Sequence, residues 1–504
     1  MAVYPTVAVE VQLTAGVWTA LADVLGEGGV AAQYGIQGST ALDRVASSGD
    51  CRFILRNDAE NSGSTQGWYS PGHASARSGW ESGIPVRVVA TYLGVDYTVF
   101  RGKLRRIAPT GGTARSQRVS VIAYDGMRDL MEAHARDVTV QTNASEAALI
   151  TAVLDAIPTG SQPIARDLDT GVDTYPIAFD NLGSGTRAGS VIRDLTVSAF
   201  GIFVVKGDGT ATYINRHQLA LAASQYALTT MHDLDVDDDL DRRANRVRVT
   251  AHPKPISAAA TDELYTLPSG TTITLSSNVA RELFTPYSDP NDRMTPVGGV
   301  SVVTALIGGT HYSANSAEDG TGSDLTASIT ATLTPFASSG KWSLTYTGSG
   351  IAYIRLLKVI GKAVRDPGAQ TVQSYTARDY GDRVLEIDMP YQDDLAVAQD
   401  AADFLKGQYI DISSVPASVE FLANTSSALL VQALTREPGD RITLTESVTG
   451  LSSVEAMITK VSRTFSAGGI LRCRWGLAPA STLALWQWGV TGASEWGETT
   501  VYGF

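Results

Sequence analysis

The sequence predicts a mainly β protein with a smaller α+β part, organised as two small tube-like β-barrels, a helix–hairpin region and an inserted β-sandwich. Three observations predict it. Ser, Thr, Gly and Val are plentiful and Lys is sparse, a balance that favours strands over long helices. Short runs that alternate apolar and polar residues, separated by Gly- and Pro-containing turns, recur along the chain. Helical periodicity is confined to a few short windows. At 504 residues the chain is too long for one ordinary core and implies three to five domains.

Residues 1–137 are expected to form the first barrel. VAVEVQL, the turn Thr14-Ala15-Gly16 and VWTAL make an opening hairpin, and CRFILRN at 51–57 and VRVVATY at 86–92 add strands. The stretch from Tyr97 to Met131 supplies two more strands about a Pro-Thr-Gly-Gly turn, then turns at Asp125-Gly126 into a short helical run. Asn61 to Gly83 is a Ser/Gly-rich connection.

Residues 138–243 change period. Asn143 and Glu146 read as a capping box, followed by Ile150, Val153, Leu154 and Ile157 on one helical face. A second helix is expected at 189–200 with Gly201 as its terminator, then a hairpin from IFVV (202–205) and TATYIN (210–215).

The second barrel is expected from 244–255 plus 371–480, with a helix at 392–409 whose first turn carries Asp393 and Asp394. Its strands are NRVRVTAH, ARDYGDRVLEIDMP, ASVEFLA, GDRITLTE, EAMITKVSRTF and ILRCRWGLAP. Alternation places Val247 and Val249 inward with Val384, Ile387, Ile458 and Val461, and Arg246, Arg248 and Arg383 outward. Residues 256–370, rich in Thr, Ser and Gly, form the inserted sandwich. Residues 481–504 are a short aromatic tail.

Several phrases carry a resemblance. They are FRGK…PTGG…RVSVIAYDG at 100–126, Asp43-Arg44 before GDCRFILRN, Tyr69-Ser70-Pro71 before GIPVRV, YSANSAEDGTGSDLT at 312–326, IRLLKVIGKAV at 354–364 and the closing aromatic segment. In this order they resemble the minor tail or baseplate hub proteins at the tail tip of long-tailed (siphophage-type) bacteriophages. The resemblance implies a structural virion protein at the distal end of the tail, a homotrimer whose six barrels adapt a sixfold tube to a threefold tip. It further implies contact with the distal tail protein, the tail tube, tape-measure protein and tip fibre or receptor-binding proteins, with DNA passing through the channel without sequence-specific binding. No enzyme activity and no cofactor are implied. The rival readings are a receptor- or carbohydrate-binding tip protein and a cell-wall-degrading tail enzyme.

The residues themselves offer no catalytic, cofactor or metal site. HExxH, GxSxG and phosphate-loop motifs are missing, and His73, His134, His217, His232, His252 and His311 are scattered. Cys51 and Cys473 lie far apart in strand-like runs and are expected to be buried, reduced core residues. The acidic run from Asp233 to Asp241 fails the calcium-loop pattern and reads as a solvated turn offset by Arg242, Arg243 and Arg246; the 319–324 stretch reads as a tight turn. Trp68 and Trp80 suit either a sugar platform or packing against a neighbouring subunit. Trp486, Trp488 and Trp496 are expected to dock on the protein's own barrel or on a partner. The net charge of −13 argues against gripping nucleic acid, and no apolar run reaches the length of about 18 residues that a membrane span needs.

Overall fold

Apolar alternation in the first 125 residues folds into seven strands: Thr6–Thr14, Val17–Ala20, Val30–Gly35, Ser47–Arg56, Pro85–Tyr92, Val95–Thr110 and Arg118–Asp125. The structure, a computed structural model, describes residues 3–38, 40, 42–112, 117–135, 138–179, 185–411 and 415–480. The seven strands belong to a 13-stranded sheet that also takes in six strands from later in the chain. From edge to edge its order is Asp233–Asp237, Val415–Leu422, Ile470–Pro479, Leu451–Ser466, Val30–Gly35, Ser47–Arg56, Arg118–Asp125, Val95–Thr110, Pro85–Tyr92, Thr6–Thr14 and Val17–Ala20. Arg441–Glu446 and Ala227–Leu228 branch from Leu451–Ser466.

The mainly β class with a smaller α part stands, and the N-terminal and C-terminal strand sets are continuous in one hydrogen-bonded sheet. The two strand sets join at a seam, with Lys460 opposite Gly35, Ser462 opposite Gln33 and Thr464 opposite Ala31. Each set also pairs back on itself: beyond Val17–Ala20, Val24 bridges Leu55 and Leu25 N donates to Ile54 O at 2.8 Å, while Ala227–Leu228 pairs with Arg441–Glu446 shortly before Asp233–Asp237 pairs with Val415–Leu422. Gly35 makes the seam possible: its φ is +115°, and a Cβ there would lie 2.4 Å from the Thr459 carbonyl oxygen. One core runs through both sets, bringing Leu55, Val86 and Val121 together with Ile442, Val461 and Trp475. The Ser427–Thr435 helix lies on this core through Leu429, Leu430, Ala433 and Leu434.

The helix–hairpin region has the expected elements, but the Asn143–Glu146 capping box does not form: Asn143 lies in the strand Gln141–Ser145, Ser145 is the N-cap, and Glu146 accepts instead from Val172 N and Asp173 N at 3.2 and 3.1 Å. Glu146–Asp155 and Ala188–Ala199 are helices, and Ile202–Val205 pairs with Thr210–Ile214. The second helix ends on Phe200 in the left-handed conformation (φ 58°), one residue before the expected terminator Gly201. Phe203 ties this unit to the first strand set, its amide donating to Arg44 O and its carbonyl accepting from Ala46 N.

The strand Arg246–Ala251 departs from expectation. It pairs with Gln370–Tyr375 and Val384–Met389 in a separate three-stranded sheet packed beneath the Leu395–Tyr409 helix. Both its sides are therefore taken, and it has no free edge to offer the strands at 415–479. Val247, Val249 and Ile387 share a core with Ala398, Ala402 and Leu405, whereas Ile458 and Val461 belong to the core of the large sheet. Val384 is about half exposed rather than inward.

Between these strands, Ile351–Val364 is the spine of a five-stranded sheet that faces a three-stranded sheet across a core built on Trp342, Leu344, Ile354 and Leu357. This unit starts and ends at one place: Ala251 lies opposite Gln370, and Arg365 N donates to Pro255 O at 3.0 Å.

Candidate assembly surface

The 13-stranded sheet has one apolar and one polar face, because side chains alternate along each strand. Cross-strand neighbours line up on the polar face. Gln33 stands between Asp50 and Ser462, Ser462 opposite Arg474, and Arg474 opposite Glu420. Asp50 accepts from Gln33 Nε2 at 2.6 Å and pairs with Arg52 at 2.7 Å. Along this row Asp50, Arg474 and Glu420 alternate in sign, with the neutral Gln33 and Ser462 between.

The acidic run, expected as a turn, is instead the edge strand Asp233–Asp237, paired with Val415–Leu422. Leu234 and Val236 pack on the core and leave Asp233 and Asp235 exposed on the polar face. Asp237, Asp238 and Asp241 are held by Arg242, Arg243 and Arg383 at 3.4, 2.9 and 2.9 Å. Arg246, expected to offset this run, pairs with Asp382 instead. At the other edge Trp18 covers Arg87 and Arg101, whose guanidinium carbons lie 4.5 and 5.4 Å from its ring centre.

Behind the seam the two strand sets are pinned by a buried polar cluster. Arg463 is fully buried and donates to the carbonyls of Ala433 (2.7 Å) and Arg436 (2.8 Å), capping the end of the 427–435 helix. It also donates to the Tyr34 hydroxyl, which in turn donates to Glu437 at 2.7 Å. Gly207 N reaches Glu437 from the 202–214 hairpin at 3.3 Å. Burial pushes the Glu437 carboxyl up, and Arg463 pulls it back. The sequence pattern does not single out Tyr34, Glu437 or Arg463, since nothing local marks a charge that is satisfied by distant carbonyls.

Other candidate residues resolve individually. Trp80 is buried, donates Nε1–H to Tyr69 O at 3.0 Å and stacks edge-on against Tyr69. Trp68 packs half-buried on the same core, so neither ring is presented as a sugar platform. Cys51 and Cys473 are free and buried, and burial pushes the Cys473 thiol up to about 12. In the 319–324 turn Asp319 accepts from Thr321 N at 3.0 Å and Asp324 from Thr326 N at 2.9 Å. His252 meets Asp388 at 2.6 Å, His311 accepts from Ile307 N at 2.9 Å, and His73 accepts from Ser75 N at 3.1 Å, in three separate places. Among the described residues no group of three or more His, Cys, Asp or Glu is arranged to hold a metal. Trp486, Trp488 and Trp496 lie outside the described residues.

The sequence matches no protein-family model and no curated protein. The structure does have relatives. It is similar to the 43 kDa tail protein of prophage MuSo2 from Shewanella oneidensis, at a TM-score of 0.51 with 9% identity over 95% of this chain and 99% of that one. It also aligns with a tail protein from Neisseria meningitidis MC58 (TM-score 0.49, 10% identity, 94% and 96% covered). Prophage tail protein gp18 from Listeria monocytogenes aligns at 0.42 and 7% identity, with 94% of each chain covered. The chain is a mainly β protein with the fold of a phage tail protein. The similarity in fold to the MuSo2 tail protein spans almost the whole of both chains.

Proposed function

We propose that this chain is a structural tail protein acting as the hub of a phage tail tip or baseplate. In this reading it is a homotrimer that adapts a sixfold tube to a threefold tip. It sits at the distal end of the tail, against the tail tube and distal tail protein and beside tip fibre or receptor-binding proteins. Its lumen carries tape-measure protein and then DNA. One observation supports this above the others: two strand sets from opposite ends of the chain stand side by side in one sheet, joined at the 30–35 and 451–466 seam. Three copies then present six such sets around a ring. The net charge of −13 suits a channel wall, because an acidic protein holds DNA phosphates poorly. Trp80 buried against Tyr69 weighs against the carbohydrate-binding reading of that loop.

The test is an image reconstruction of assembled tail tips. Three copies around an open channel, with the 13-stranded sheets as its wall, is the expected result. One or six copies, or a chain standing off the axis, rules the hub out.

A further inference from the structure

The inserted sandwich carries an open cleft of 640 Å³. The turn at 270–272 and the loop at 317–321 line it, and Arg355 of the Ile351–Val364 strand completes the lining. Hydrogen bonds hold the loop in shape before any ligand arrives. Asn315 Nδ2 donates to the carbonyls of Gly320 and Gly322 at 3.3 and 3.0 Å, and Asn315 Oδ1 accepts from Ala317 N at 2.9 Å. Arg355 Nη1 donates to Glu318 O. Gly320, at φ +85°, brings the loop against that guanidinium, and a Cβ there would lie 2.8 Å from its central carbon. Thr272 ties the turn to the loop, its hydroxyl donating to Glu318 Oε1 at 3.2 Å.

The chemistry of the lining narrows the ligand. Among the described residues it holds no aromatic ring and no apolar side chain larger than that of Ala317, so an apolar ligand buries little there. Glu318, Asp319 and Arg355 are all exposed, and both signs of charge border one space. An anion meets two carboxylates, and a cation meets the guanidinium. A saccharide hydroxyl both donates and accepts, so two neighbouring hydroxyls satisfy a carboxylate and a guanidinium together. Gly270 and Ala317 are small enough to leave room for the C–H face of a sugar ring. The cleft also lies well away from the body of the chain. Arg355 and Val364 share one strand and stand roughly 30 Å apart at about 3.3 Å per residue. Val364 clusters with Ile177, where the sandwich meets the helix–hairpin region.

We propose that this cleft binds a neutral saccharide, with Arg355 donating to adjacent hydroxyls of one sugar ring and Glu318 and Asp319 accepting from them. The site goes beyond the hub reading and does not depend on it: the sandwich holds the cleft whatever place the chain takes in an assembly.

Binding of the full chain to immobilised glycans tests it. The probes are glycans ending in neutral hexoses or N-acetylhexosamines, set beside others that carry uronate or phosphate groups. Neutral glycans should be bound and the acidic ones left. Arg355→Ala and Glu318→Gln should each weaken binding by about tenfold or more. Glu318→Gln keeps the side chain's size and its acceptor for Thr272, so it separates lost recognition from a loosened loop. If Arg355→Ala melts early, Glu318→Gln decides alone. Failure to hold any neutral glycan overturns the proposal, as does binding of acidic glycans only. Undiminished binding by a variant that melts like wild type overturns it as well.

Discussion

Tyr34 and Arg463 are 429 positions apart in the chain, and the guanidinium of one donates to the hydroxyl of the other inside a shared core. Their contact sits behind the seam of the 13-stranded sheet. Removing Arg463 takes that donor from the carbonyls of Ala433 and Arg436 and the counter-charge from the buried Glu437 carboxyl. Arg463→Leu should therefore cost about 3–5 kcal/mol, and Tyr34→Phe about 1–3 kcal/mol. Urea unfolding of the two single variants and the double variant measures this. The two effects should be strongly non-additive; simple additivity would show that the residues do not act together.

Asp125 ends the last strand of the first set and begins the Gly126–Glu132 helix. It is buried, and the backbone N–H groups of Gly49, Met127 and Arg128 offset only part of the cost of burying its charge. Burial pushes its pKa up to about 7 from an ordinary 3.8. With the folded value raised, its stabilising effect is fully present below pH about 4 and is lost as pH rises through about 7. Asp125→Asn should remove this dependence and make the protein more stable than wild type at pH 8, by an amount on the order of a few kcal/mol. Melting temperatures of both proteins from pH 4 to 8 check it; parallel curves contradict it.

The 256–370 unit joins the rest of the chain between two strands that already pair, with Ala251 opposite Gln370. Its removal with a short Gly/Ser connection turns those strands into a hairpin and costs little loop entropy. Such a variant should be soluble and should keep the Arg246–Ala251 and Leu395–Tyr409 packing. Insoluble protein, or loss of amide exchange protection at Val247 and Val249, would show that the unit is needed for the fold.

Val247 and Arg248 are neighbours on opposite faces of one strand. Val247 is fully buried against the Leu395–Tyr409 helix unit, so Val247→Asp places an unpaired charge there and should cost several kcal/mol. Arg248 is exposed and pairs with Glu386 at 3.0 Å, so Arg248→Asp should cost no more than about 1 kcal/mol. Equal melting points for the two variants would contradict this facing.

Much of the fold was legible because burial of one face imprints alternation. CRFILR and VRVVATY show it, and so do the helical faces at 146–157 and 188–199. The seam strand Val30–Gly35 did not stand out, although Val30, Ala32 and Tyr34 do face inward, because alanines on both faces give no contrast. Its partner lies more than 400 residues away, and no local pattern names it. In Asp233-Leu234-Asp235-Val236-Asp237 the alternation was present but hidden beneath the density of carboxylates. The 427–435 helix was equally hidden: a short apolar run suits helix or strand, and its clearest mark is Ser426, whose Oγ accepts from Leu429 N at 3.1 Å. The joining of the two strand sets was not legible, since alternation fixes which way a side chain faces and says nothing about which strand lies alongside.

The joining of distant segments at Gly35 and Thr459 sets a timetable for synthesis. A ribosome releases the N-terminal strands long before residues 451–466 exist, at roughly 5–20 residues per second. For that interval Val30–Gly35 is an open edge, and the apolar side that later receives the 427–435 helix faces water. Non-local pairing of this kind folds slowly. Nascent chains on crowded polysomes therefore carry matching unpaired edges close together, and fragments that stop before the last two strands should collect in inclusion bodies, whatever the stability of the finished protein.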